Sequence, residues 1–342
     1  MESLIHIVLL CFLLLTVFAI VRMHDLFAIV MLLSIYGFLC ASFFMVMDAV
    51  DVAFTEAAVG IGISTLLLLS ALTLTGRFEK KQRHKPLLAV FSVAITASLL
   101  IYGTLQMPPF GSAYAPAHQH IATHYITQSF GETGIINIVT SVLASYRGYD
   151  TLGELIVIFT AGMGVLVLLR GTTSPAKDSA IKDSAIKGKR VTSKQPAPMK
   201  QHAILRIVSK MLIPLILLFA LYVQFHADFG PGGGFQAGVI FASVIILYVM
   251  IFGLRATQKT ISLAWLEFLA ALGVLIFGSV GLLSLLFGEN FLDYNMLSSD
   301  PVQAQHLGIF VVEIGVGITV AATIILIFMT FTGRMANRGE QQ

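Results

Sequence analysis

Four glutamates stand inside long apolar runs of this 342-residue chain: Glu56, Glu154, Glu267 and Glu313. A charged side chain at mid-membrane costs about 2.5–3.5 kcal/mol even on insertion scales, so such a group is paired, protonated or set along a polar path. Burial disfavours the charged form of a carboxyl, which lets it take up and release protons near neutral pH. The chemistry within reach of these residues is transfer of protons or cations across a membrane.

Each carboxyl also has a plainer reading. In DVAFTEAAVGIGIST, Glu56, Gly60 and Ser64 recur four residues apart and share a face with Ala53 and Ala57, with Gly62 close by. Small residues at that spacing let a second helix approach closely. Glu56 is then either a protonatable station or one hydrogen-bonding group in a packing seam. Glu154, in DTLGELIVIFTAGMG, stands one turn inside its run, where the positive end of a helix dipole alone favours a carboxylate. Glu267 lies beside the sole tryptophan, Trp265, near the end of its run and can snorkel to the interface. Glu313 is deeper; His306, seven residues before, and Gly317, four after, fall on roughly its face, a lone pair for which a His–Glu proton relay is one reading and a structural role the other.

The stretch HADFGPGGGFQAGVI, His226 to Ile240, interrupts two apolar runs with glycines. It is not a phosphate-binding loop, since no strand precedes it and no Gly-Lys-Ser/Thr follows. Glycine adopts positive φ freely and Pro231 fixes its own φ. Together Pro231, Gly232, Gly233, Gly234 and Phe235 predict a tight reversal at the mouth of a helix whose first N–H groups are unpaired. His226 and Asp228 sit beside that mouth, placed to contact a partner loop or pass a proton; a purely structural turn is the alternative.

The elements that must position these groups are membrane helices. Hydrophobic residues make up 57% of the chain and charged residues 11%, about half the usual charged share. A span needs about 20 apolar residues. Nine windows qualify: 3–21, 26–47, 52–75, 87–106, 151–169, 204–225, 234–254, 262–287 and 305–332. The first is not a cleaved signal peptide, because Arg22 follows the apolar stretch instead of preceding it. With nine spans and the N-terminus outside, twenty of the 21 Lys and Arg residues fall on one side and only Arg147 lies opposite. That sorting is what the positive-inside rule demands. The fold class is an all-α polytopic membrane protein of about nine helices, N-out and C-in, with an external amphipathic helix.

The net charge of +3 is topology and implies no nucleic acid. The two cysteines, Cys11 and Cys40, lie in apolar runs with no ligand spacing, so no cofactor or metal is expected. The external segment 107–150 ends in GIINIVTSVLASYRG, with Ile135, Val139, Val142, Leu143 and Tyr146 on one face. Asn137, Thr140, Ser141 and Ser145 line the other, which suits a helix at the outer surface or against a neighbour. Residues 171–203, with KDSAI repeated in tandem, read as a basic low-complexity linker. The expected units are 1–76, 77–170, that linker, and 204–334.

These motifs resemble a known family. HADFGPGGGFQAGVI, followed by spans carrying Glu267 and Glu313, resembles the B subunit of multisubunit Mrp/Mnh-type cation/proton antiporters, with Asp-Phe-Gly inserted before the Pro of the family's H-x-P-G-G-G-F signature. DVAFTEAAVGIGIST is similar to a three-helix module that forms a late part of the antiporter's A subunit or, in membrane-bound hydrogenases, the separate D subunit. GETGIINIVTSVLASYRGYDTLGELIVIFTA is similar to the next module, the A-subunit tail or the E subunit of the hydrogenases. The resemblance implies a fused subunit in a bacterial plasma membrane, with Glu56 and Glu154 important for ion translocation. It implies other antiporter subunits and lipid as partners and Na⁺ and H⁺ as the ions. No lysine lies centrally in any span, so one half of a charge-pair relay is missing and the chain is expected to work within a larger assembly, not as an enzyme or alone. The same modules occur in ion-pumping redox complexes, and a scaffold without proton movement is the third reading.

Overall fold

The computed structural model describes residues 2–79, 86–109, 111–170 and 203–339; the linker 171–202 and most of the basic loop 77–85 fall outside it. Nine helices among the described residues are long and apolar enough to cross a membrane. They are α1 (Glu2–Arg22), α2 (Leu26–Val46), α3 (Val50–Thr75), α4 (Pro86–Leu105), α7 (Gly148–Arg170), α8 (Ala203–Phe225), α9 (Gly234–Phe252), α11 (Leu263–Leu286) and α12 (Pro301–Gly339). Between α4 and α7 lie α5 (Ile121–Thr133) and α6, in which Ile138–Ser141 runs on into a π turn, Val142–Tyr146. The short α10 (Leu254–Thr260) joins α9 to α11.

Local chemistry starts these helices where the structure shows them. The Asp25 carboxylate accepts from the Phe27 N–H at 3.0 Å to cap α2, and the Ser262 hydroxyl accepts from the Trp265 N–H at 3.2 Å to cap α11. Asp300 does the same for α12 at 3.2 Å, with Pro301 in the first helical position, where its missing N–H costs nothing. Arg77 forms an ion pair with Asp25 at 2.7 Å, tying the loop after α1 to the end of α3.

α12 is the central pillar. It packs against α11, α9, α7 and the last part of α3. Glycine permits the α9 contact: a Cβ on Gly234 would stand 2.1 Å from the Glu313 carbonyl oxygen. The core around this pillar includes Phe277, Ile309, Val312 and Leu326, all nearly inaccessible. α4 differs, since every side chain from Leu87 to Leu105 is exposed.

α3 is not one regular helix. Residues Ala57–Ile63 wind as a π-helix immediately after Glu56, so the four-residue repeat read from the sequence does not describe a straight stripe. Gly60 nonetheless meets α2 closely, since a Cβ on Gly37 would lie 3.1 Å from the Gly60 carbonyl carbon. Gly62 is exposed and Ser64 half-buried.

The segment 134–148 is also more particular than a surface helix. Within α6 the polar side is the inner one: Thr140 and Ser141 are buried, whereas Val139 and Leu143 are exposed; Ile135, before the helix, is buried as well. Those inward groups have acceptors to satisfy. The Thr140 hydroxyl donates to the Ala227 carbonyl at 2.9 Å, the Asn137 amide to the Gly230 carbonyl at 2.9 Å, and the Ser145 hydroxyl to Gln305 at 2.7 Å.

Candidate functional site

The glycine-rich reversal is the hub of the site. After α8 ends, the Phe229 and Gly230 N–H groups donate back to the His226 carbonyl, and the Gly233 N–H to the Val223 carbonyl at 3.2 Å. Gly233 has φ +122° and ψ 177°, a conformation that only glycine holds without strain. From there α9 starts without a side-chain cap, leaving the positive end of its dipole beside α12. The Asp228 carbonyl accepts from the Ile136 and Asn137 N–H groups at 3.1 and 3.0 Å, fixing α6 to the reversal.

The same reversal receives an acid from far away. The Asp51 carboxylate, in the first turn of α3, accepts from the Gly232 N–H at 3.1 Å. Glu313 comes from the other side: a Cβ on Gly233 would stand 3.2 Å from the Glu313 Oε1 and 3.5 Å from the Gln236 Oε1. These groups border one cavity of about 290 Å³. Asp51 and Thr55 reach it from α3, Thr140 from α6, Thr151 and Glu154 from α7, Gln236 from α9 and Glu313 from α12. Leu143, Leu155, Phe277, Val312 and Val316 supply apolar walls.

The structure thus brings Glu154 and Glu313 to one space and leaves the other two glutamates elsewhere. The Glu56 carboxyl folds over its own helix, within 2.4 Å of where a Cβ on Gly60 would be, facing Gly37 of α2. Glu267 is half-buried on α11 and does not line the cavity. His306 is paired not with Glu313 but with Asp228, its Nε2 lying 2.9 Å from the Asp228 Oδ2. His226 stacks on Tyr222, ring centroids 4.7 Å apart, while Pro231 is exposed and Phe235 borders the cavity. Asp228 and Asp51 both lie close enough to Glu313 for their charges to act on it.

Sequence reasoning missed Asp51, Gln236 and the three threonines. Asp51 sits in a short connection, where an aspartate needs no explanation, and only its place five residues before Glu56 could have flagged it. Gln236 was visible as the one amide at the start of an apolar run.

The helices and the acidic groups gathered at one end of them define the class: a polytopic helical membrane protein with a shared acidic cavity. Within that class, three family models match in order along the chain: the D subunit of MBH over 11–77, the E subunit of MBH over 85–186, and a domain related to the MnhB subunit of Na⁺/H⁺ antiporters over 204–326. The three matches follow one another along the chain, and residues from each matched region line the cavity. A probable K⁺/H⁺ antiporter A/B subunit of Rhizobium meliloti strain 1021 is 23% identical over 339 residues, 93% of this chain and 33% of the relative. A putative antiporter subunit mnhB2 of Staphylococcus aureus strain Newman is 29% identical over 139 residues, 40% of this chain and 98% of the relative. Among solved structures, the Mrp complex from Dietzia sp. DQ12-45-1b aligns with a TM-score of 0.72 at 22% identity, over 95% of this chain and 34% of that one. A chain of the membrane-bound sulfane sulfur reductase, an archaeal respiratory membrane complex, aligns at 0.51 and 27% identity, over 72% of this chain and 98% of that one. This chain spans about a third of the Rhizobium and Dietzia chains it matches.

Proposed function

We propose that this chain is a membrane subunit of a multisubunit monovalent cation/proton antiporter in a bacterial plasma membrane. It joins A-type tail modules (1–76 and 77–170) through the linker 171–203 to a B-type unit (204–334), and it works with the other antiporter subunits rather than alone. The ions are H⁺ and Na⁺, with K⁺ the alternative that the Rhizobium relative's name raises. The observation that carries this reading is the convergence of Asp51, Glu154 and Glu313, one carboxyl from each matched region, on a single cavity. Glu313 and Glu154 act as proton-exchanging stations. The His306–Asp228 pair stands close to Glu313, and the His226–Phe235 reversal holds the units together. Glu56 and Glu267 serve separate steps at contacts with partner subunits.

The test is proton movement in everted vesicles carrying the assembled complex with and without this chain. A Na⁺ or K⁺ pulse should release the proton gradient only when the chain is present; equal release in both preparations would reject the assignment. The 98% coverage of the sulfane sulfur reductase chain favours a second reading, a membrane-arm subunit of a redox-driven ion pump. Affinity purification separates the two: electron-carrying subunits in the recovered complex support the second, antiporter subunits alone the first.

A further inference from the structure

Apart from the acidic cavity, the bundle carries a long groove among α8, α9, α11 and α12. Ile245 of α9 and Ala321 of α12 form its floor, Leu221 and Phe225 of α8 one wall, and Trp265 and Leu269 of α11 the other. No charged side chain lines it, and its volume is about 660 Å³. Along α12 the lining runs from Ile314 to Ile325, about 16 Å at 1.5 Å per residue. That is close to the depth of one leaflet in a hydrocarbon core about 30 Å thick. A helix about 10–12 Å across would fill on the order of 1,300 Å³ over the same length, roughly twice what the groove offers. An acyl chain is slender enough to lie within it.

The two ends of the groove differ. At one, the Gln224 Oε1 of α8 reaches toward Gly317, where a Cβ would stand 2.8 Å away. At the other lie Thr260, the last residue of α10, and Trp265, 61% exposed. An exposed tryptophan at the end of a span belongs at the membrane interface. Cations gather at this end. Lys259 adjoins Thr260, and Arg255, four residues earlier, shares its face of α10; both are exposed. The Arg206 guanidinium and the Lys210 Nζ of α8 lie 5.4 and 5.8 Å from the ring centre of Phe252, the last residue of α9. Among the described residues of α8 to α11, Glu267 is the one acid at this end, and it does not line the groove. Basic side chains between membrane helices attract the head groups of anionic lipids. We propose that the groove holds one acyl chain of an anionic phospholipid, its phosphate bound by Lys259 and the cations around Phe252. α8 leans on the rest of the chain mainly through α9, and the lipid occupies the gap this leaves beside α11 and α12. Binding is a property of this chain and does not depend on which complex it serves.

Native mass spectrometry of the purified full-length chain, given phosphatidylglycerol or phosphatidylcholine with identical acyl chains, tests this. One phosphatidylglycerol should be retained per chain, with a preference over phosphatidylcholine of roughly fivefold or more. Lys259→Gln combined with Lys210→Gln should bring the two lipids to parity. Ala321→Phe, which fills the groove, should lower retention of both, whereas Leu282→Phe on the exposed side of α11 should change neither. Circular dichroism and a monodisperse elution profile establish that each variant is folded. Equal retention of the two lipids by the wild type, or undiminished retention by folded Ala321→Phe, overturns the proposal. A photocrosslinker at Leu221 in the assembled complex identifies the occupant: crosslinks to lipid support the proposal, and crosslinks to another subunit overturn it.

Discussion

The Asp51 carboxylate on α3 accepts a hydrogen bond from the Gly232 N–H in the turn before α9, at 3.1 Å, and so binds the first region of the chain to the last. A hydrogen bond to a charged group contributes about 1.5–3 kcal/mol net. Asp51→Ala should lower the stability of the purified full-length chain by about that amount, and Asp51→Asn, which keeps an acceptor oxygen, by less. Thermal unfolding followed by circular dichroism checks this. Equal melting of Asp51→Ala and wild type would mean the bond contributes nothing.

The contact of α9 with α12 should be intolerant of a single methyl group. A Cβ on Gly234 meets the backbone oxygen of Glu313 at 2.1 Å, and backbone cannot rotate away as a side chain can. Gly234→Ala should cost about 1–3 kcal/mol or more through overpacking and reduce the yield of folded protein. Gly278→Ala on α11, where nothing lies within 4 Å, should be tolerated. Detergent-solubilised yield and melting temperature of the two variants decide it.

The inward polar face of α6 makes an unusual prediction for a surface segment. Thr140→Val keeps the shape but leaves the buried Ala227 carbonyl without its donor, at a cost of about 1–3 kcal/mol. Ile138→Ser, at an exposed position of α6 that does not line the cavity, should change the stability of the isolated chain by less than about 0.5 kcal/mol. The reverse ranking in denaturant unfolding would mean that the apolar face is the packed one.

Tyr294 gives a signature at high pH. Its ring is fully buried over Gly308, and its hydroxyl donates to the Ala144 carbonyl at 2.6 Å. Burial raises the phenol above its ordinary value of 10.0. A group whose folded form holds its proton more tightly contributes stability that is complete below the unfolded value and is lost as pH rises past it. Stability should therefore fall above about pH 10, more steeply in the wild type than in Tyr294→Phe. Unfolding curves between pH 9 and 12 test this, and parallel curves would contradict it.

Much of the fold was legible in the sequence because a bilayer imposes length and apolarity on each span. The nine windows agree with the nine helices to within a few residues at most ends. Glu154 and Glu313 were legible for the same reason, being carboxyls in apolar runs. Their meeting was not, because it depends on packing between distant parts of the chain, as the bond between Asp51 and Gly232, 181 residues apart, also does. The alternating pattern of 134–148 revealed two faces without revealing which was inside; the unpaired carbonyls of Ala227 and Gly230 decide that, and they belong to a turn nearly a hundred residues away. The π-helical turn after Glu56 escapes a search that assumes 3.6 residues per turn.

The central claim is that Glu313, at the meeting of the three regions, exchanges the proton that is coupled to cation movement. Cation-induced proton release in everted vesicles carrying the assembled complex tests it most directly, with wild type, Glu313→Gln and Glu313→Asp compared at equal amounts of assembled complex. Glu313→Gln should abolish the release and Glu313→Asp should retain a measurable part of it. Release at the wild-type rate in Glu313→Gln would contradict the account.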